Sequence, residues 1–263
     1  MIKRTGLTLA ALLCLVPGAY PDASKEADAY TARGVSCANK GEFAKAIEYF
    51  STAISMDPKQ FTAYLNRGTA YARFGKLDMA IQDYSKTLAV NPELTLVYSI
   101  RGQTYSEKGE FDKAIADCAK GVKLGPGDAR GYFCLGAAYY SKREYRKTIE
   151  AYSGYTTLRP KDPKGYAYRG NAYFKLREND KAIEEYSKAI RLAPGDALLY
   201  NNRGSIYAWI GEYEMAIADY SRAIAISPNY AKAYATRGDA YRKNGELKKA
   251  AADEKTYLSL SQR

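Results

Sequence analysis

Side chains that commonly do chemistry are scarce in this sequence, and their scarcity narrows the function at once. There is no histidine, which removes histidine-assisted nucleophiles, histidine metal sites and the usual general base near neutral pH together. No G-x-S-x-G elbow, Walker-A loop or C-x-x-C pair occurs. Gly125-Pro126-Gly127 has the look of a dinucleotide fingerprint, but it lies at a helix end with no strand before it and reads as a turn. Glu184 and Glu185 are neighbours on a helical segment, and neighbours do not share a helix face, so an acid–base dyad is not expected. These residues call for no cofactor and no metal. The sequence points to a protein that binds rather than converts.

Charge and composition agree with that. The 263 residues are 46% apolar and 26% charged, the balance of a folded chain. No apolar run reaches the roughly eighteen residues of a membrane span. Forty Lys and Arg against 29 Asp and Glu give a formal charge of +11, so an acidic partner is worth seeking. At the N-terminus Lys3 and Arg4 precede an apolar stretch from Leu7 to Val16, then Pro17, Gly18 and small residues near Ala19 and Ala23. That is the layout of a secretory signal peptide over residues 1–23, and it predicts export to the periplasm or beyond. A chain in which the segment stays unprocessed would remain cytoplasmic.

The elements behind these side chains follow a strict period. Gly34, Gly68, Gly102, Gly136, Gly170, Gly204 and Gly238 are spaced 34 residues apart. A tyrosine lies four residues before each, from Tyr30 to Tyr234, and Cys37 or a tyrosine three residues after. Prolines keep the same step at Pro58, Pro92, Pro126, Pro160, Pro194 and Pro228. With each glycine at position 8, residues 24–263 hold seven units: 27–60, 61–94, 95–128, 129–162, 163–196, 197–230 and 231–263. Apolar spacing predicts two helices per unit, a turn with glycine at Gly41, Gly75, Gly109, Gly211 and Gly245, and a stop imposed by the proline. Small residues at positions 8 and 20 let the two helices approach, and tyrosines at positions 4, 11 and 24 fill the space beside them. The excess of tyrosine, 26 in all, is therefore mostly architectural. Cys37 and Cys118 hold core positions usually taken by an aromatic ring, so buried thiols are expected. A Cys118–Cys134 disulfide stays open.

This pattern resembles the tetratricopeptide repeat (TPR) family from residue 27 to about residue 260. The resemblance implies an all-α, right-handed superhelical solenoid of seven 34-residue helix–turn–helix units, with peptide ligands lying on the concave face lined by the first helices. It also implies a protein or peptide partner and no catalysis. The chain departs from the family in carrying tyrosine at position 4 and arginine at position 7. Repeat 4 is irregular, with Thr148 at position 20, and repeat 7 has Glu254 where an aromatic would pack. Its second helix is expected to form the polar cap that such an array needs.

Carried onto this sequence, positions 2, 5, 9, 12 and 13 face the groove. In repeats 1 to 3 they are small or polar, as at Thr62 and Gln103. In repeats 4 to 7 they become aromatic and basic, at Arg130, Phe133, Tyr140, Lys164, Phe174, Lys175, Trp209, Lys232 and Arg242, with Asn171 and Asn201 among them and Asn202 next to Asn201. Aromatic anchors among cations suit an acidic, extended peptide segment. The family's carboxylate clamp is only partly matched, by Asn171, Asn202 and Lys232, with Ala167 and Thr236 in place of basic residues. A second basic feature runs along the turns: Lys142, Arg143, Arg146, Lys147, Lys175, Arg177 and Lys181, with Lys248 and Lys249 later. It could serve nucleic acid or an anionic envelope polymer, but Glu144, Glu178 and Asp180 interleave with it, which favours a solvated edge, and export argues against nucleic acid. Finally, arginine at position 7 accompanies an acid at position 23 in five repeats, which predicts the ion pairs Arg67/Asp83, Arg101/Asp117, Arg169/Glu185, Arg203/Asp219 and Arg237/Asp253.

Overall fold

The computed structural model describes residues 25–262; the expected signal segment lies outside the described residues. Fourteen helices follow one another, with no strand among the described residues. They are α1 (Lys25–Asn39), α2 (Phe43–Met56), α3 (Phe61–Arg73), α4 (Leu77–Val90), α5 (Thr95–Glu107), α6 (Phe111–Leu124), α7 (Ala129–Ser141), α8 (Tyr145–Leu158), α9 (Pro163–Lys175), α10 (Asn179–Leu192), α11 (Ala197–Trp209), α12 (Tyr213–Ile226), α13 (Ala231–Lys243) and α14 (Leu247–Ser261). This is the expected all-α class of consecutive helix pairs. The chain divides into two compact units between Cys134 and Leu135.

In the first unit α1 packs on α2, α3 on α4 and α5 on α6, and α2 and α4 each also meet the next first helix. Leu65, Tyr71, Ala80, Tyr84, Leu88 and Val97 form one buried cluster; Val35, Ala38, Ala46, Phe50 and Ala70 form another. In the second unit α9 packs on α10, α11 on α12 and α13 on α14, around Ala182, Tyr186, Ala189, Ile190, Leu199 and Ile206. Position 8 shows why glycine recurs there. A Cβ on Gly68 would sit 2.9 Å from the ring of Tyr84, and one on Gly136 would sit 2.7 Å from the ring of Tyr152. The second helices end two residues before the period's prolines, as at Met56 before Pro58 and Ile226 before Pro228.

The five ion pairs form. Arg67 donates through Nε and Nη2 to the two oxygens of Asp83, each at 2.8 Å, and Arg203 meets Asp219 at the same distances. Arg101–Asp117, Arg169–Glu185 and Arg237–Asp253 lie at 2.6–2.7 Å. Hydrogen bonds donated to the carboxylates hold the guanidinium groups of Arg67, Arg101, Arg203 and Arg237 still more firmly protonated than usual. Each arginine also reaches back to the preceding repeat: Nη1 donates to Ser51, Ser85, Ser153, Ser187 and Ser221 at 2.8–3.0 Å. One side chain thus joins its own repeat and the one before it.

Repeat 4 carries Leu135 and Ala151 in place of arginine and acid, and Ala119 stands where the preceding serine would be. Within the first unit, α6 and α7 are instead joined covalently: Cys118 and Cys134 form a disulfide, with Cα atoms 5.6 Å apart. This corrects the expectation of a buried thiol at Cys118; positions 24 and 6 of successive repeats face each other across the helix packing. Cys37 is free and half-buried. The last helix departs from a polar cap, because α14 exposes Leu247 and Leu258 beside its lysines.

Candidate functional site

The groove candidates separate into residues already engaged and residues left open. In the first unit Arg130 pairs with Asp128 at 2.8 Å, a bond inside its own turn. Burial raises the Asp128 carboxyl, but hydrogen bonds from Arg130 outweigh that and hold it below its usual value. Phe133 is half-buried.

In the second unit Asn201 is fully buried, and its Oδ1 accepts from Thr236 at 3.2 Å, so it belongs to the helix packing. Asn171 accepts from the Tyr186 hydroxyl at 2.6 Å, and Asn202 is half-buried nearby. Tyr140 sits edge-on to Tyr145 at 5.5 Å. Arg242 pairs with Asp239 and Glu254 on the surface. Lys164 and Lys232 are exposed at the starts of α9 and α13. The adjacent glutamates stay apart in role: Glu185 is buried on Arg169, whereas Glu184 is exposed on Lys188. Among the described residues no three cysteines or acids gather as a metal site.

Three candidates come together. Phe174 and Lys175 end α9, Trp209 ends α11, and all three line one pocket of about 260 Å³ with Arg177. Phe174 meets Trp209 edge to face at 6.2 Å, and the Arg177 guanidinium lies over the indole at 4.5 Å. Trp209 remains 57% exposed, an unusual state for the one tryptophan of the chain. Sequence reasoning placed Arg177 on the basic edge and missed it here.

The signal was present in the turn. Gly41, Gly75, Gly109, Gly211 and Gly245 have φ of 80–88°, and their N–H groups close the first helix in a Schellman motif, as Gly75 does on the Ala72 carbonyl at 3.1 Å. Repeats 4 and 5 put Arg143 and Arg177 at this point, with φ of 63° and 64°. Arg177 N–H bonds the Phe174 carbonyl at 3.0 Å just as the glycines do. A left-handed conformation costs a side-chain-bearing residue about 1–2 kcal/mol. No carboxylate pairs with Arg143, Arg146, Lys175 or Arg177 among the described residues, whereas Glu144 holds Lys142 and Lys147, and Glu178 holds Lys181.

No curated protein matches the chain. Among solved structures, a tetratricopeptide repeat protein from Parabacteroides merdae is similar over 90% of this chain and 94% of its own, with a TM-score of 0.72 at 22% identity. The anaphase-promoting complex hetero-tetramer Cut9-Hcn1 is similar over 82% of this chain, with a TM-score of 0.66 at 23% identity, and this chain spans only 42% of that one. YrrB, described as a TPR protein with an unusual peptide-binding site, is similar over 70% of this chain and 95% of its own, with a TM-score of 0.56 at 21% identity. Models described as tetratricopeptide repeat match residues 27–60, 61–94, 101–163, 197–230 and 220–252, and one described as TPR repeat matches 170–211. With the period, the helix pairs and these matches in agreement over more than half its length, the chain belongs to the tetratricopeptide repeat family.

Proposed function

We propose that this chain is an exported, non-catalytic scaffold that holds an acidic, extended segment of a protein partner on repeats 4 to 7. The observation that carries this reading is the exposed Trp209, braced by Phe174 and Arg177 beside the unpaired Lys175. A large ring kept in water at a cation-lined pocket is the usual make-up of a binding hot spot. YrrB's described peptide-binding site supports a peptide as the ligand class. Export is supported by the Leu7–Val16 stretch and by the Cys118–Cys134 disulfide, a bond typical of oxidising compartments. N-terminal sequencing of native protein should then find a start between residues 19 and 24, and an intact Met1 in a cytosolic fraction would overturn export.

The binding test compares capture of partner protein from an envelope extract by the parent, by F174A/W209A and by T62A/Q103A. Capture should fail only for F174A/W209A; loss with T62A/Q103A alone would put the site in the other unit. The unpaired Arg143 and Arg146 favour a second reading, an anionic envelope polymer along the turn edge. Its mark is affinity that falls steeply with salt.

A further inference from the structure

We infer that Arg143 and Arg177 are the residues with which this chain reads carboxylates, and that the pocket beside Arg177 takes the apolar side chain next to one of them. The inference rests on the acidic-peptide reading and names the residues that make it selective. It starts from the backbone. Five repeats use glycine at the left-handed turn position and two use arginine, with the same closing hydrogen bonds. Nothing in the turn needs a side chain there, so the strain is held for something outside the turn.

The framework arginines, such as Arg67 and Arg203, are each spent on an acid of their own repeat. Arg143 and Arg177 are not paired with any acid of the described chain. Arg177 rests on the Trp209 ring at 4.5 Å, and a guanidinium whose face is occupied this way keeps its N–H edge for a bidentate acceptor. Stacking also fixes where that edge points, which lowers the entropy lost on binding. Arg143 holds the same turn position one repeat earlier in sequence, with the same left-handed backbone, so a segment with acids at intervals has two arginines to meet.

An acidic peptide fits better than a polyphosphate or nucleic acid. Each arginine is followed at once by a glutamate, Glu144 or Glu178, that neutralises nearby lysines. A dense polyanion meets those carboxylates, whereas a peptide with a few acids can avoid them. The pocket also has apolar walls in Phe174 and Trp209, which a phosphate chain would leave unused.

The test uses the full chain and three probes: a labelled peptide of alternating glutamate and phenylalanine, its glutamine counterpart, and inorganic polyphosphate. Binding is read by anisotropy. The key variant is R143G/R177G, which restores the residue the other five repeats carry. It should melt no lower than the parent, yet bind the glutamate peptide roughly tenfold or more weakly, since each charged hydrogen-bonded contact is worth at least that factor. The parent should prefer glutamate to glutamine, and R143G/R177G should not. The inference falls if R143G/R177G binds as the parent does, if the two peptides bind alike, if the parent binds neither at millimolar peptide, or if polyphosphate binds more tightly than peptide. Loss of binding in F174A/W209A with none in R143G/R177G would sink the arginine assignment and leave the scaffold reading intact. No effect of either variant would sink both.

Discussion

The two units share a framework and differ in what they expose. Arg67 and Asp83 in the first, like Arg203 and Asp219 in the second, meet in the same bidentate geometry and reach back to a serine. The turns diverge. The first unit closes its first helices on Gly41, Gly75 and Gly109, and the last residue but one of each is small: Ala38, Ala72 and Ser106. The second opens with Arg143 and Arg177 in the glycine's place, beside Tyr140 and Phe174. The packing positions are thus held constant while the turn and the last helical residues vary. That is what a repeat architecture allows, because each unit's core is local.

The largest expected effect tests the shared part. D83A and D219A each leave a mostly buried guanidinium unpaired and should cost about 3–5 kcal/mol, alike in both units. Urea unfolding checks this, and clearly unequal costs would break the claim of a common framework. The doubles R67M/D83L and R203M/D219L should recover most of the loss, because no charge is then left unpaired.

A somewhat smaller effect should be confined to the first unit. Cys118 and Cys134 are 16 residues apart, and removing a bridge over such a loop costs about 3 kcal/mol. C118A/C134A should therefore show faster amide hydrogen exchange in α5 and α6, with α9 to α12 unchanged. Equal loss of protection in both units would mean that the bond supports more than its own neighbourhood.

Alkaline pH should strike the second unit harder. Burial raises the phenols of Tyr152, Tyr186 and Tyr220 there, but only Tyr84 at the same repeat position of the first, where Phe50 and Cys118 fill the other places. The folded state keeps protons that the unfolded chain releases above about pH 10. The stabilisation is therefore complete below that pH and is lost as pH climbs through the folded-state values. Each tyrosine costs up to about 1.4 kcal/mol per pH unit in that window. Hydrogen exchange at pH 9 and pH 11 would show it, and an even decline across both units would count against this account.

Much of the fold was legible because the repeat states each feature several times over. The 34-residue step gave the helix pairs, and the coupled presence of arginine at position 7 and acid at position 23 gave the ion pairs. The serine that completes each tie sits one repeat earlier, so it stayed hidden when residues were compared only within a repeat. Its loss at Ala119, 16 residues before Leu135 and one repeat earlier, was visible in the same way. The site was less legible. Phe174, Lys175 and Trp209 were found by their change in character, but Arg177 was masked by reading the turn as a charged edge rather than asking what had displaced a glycine. Asn201 shows the opposite failure: its polarity suggested a surface, while its position packs it between helices.

The smallest effect compares one glycine position in two repeats and should differ in sign. In repeat 4 a Cβ on Gly136 would meet the ring of Tyr152 at 2.7 Å, and that ring is itself fully enclosed, so it cannot give way. G136A should cost about 1–3 kcal/mol through overpacking, less a small gain in helix propensity. In repeat 7 the aromatic is replaced by Glu254, and a Cβ on Gly238 meets nothing closer than 3.4 Å, ordinary contact distance. G238A should then be stabilising by about 0.5–1 kcal/mol, since glycine inside a helix is the poorer choice wherever space is not the constraint. Urea midpoints, followed by circular dichroism and by the emission of Trp209, give both numbers. If G238A destabilises as much as G136A, the glycine at position 8 is required by the backbone itself. If the signs differ, it is the ring at position 24 that demands it, and the two positions are one packing decision written 16 residues apart.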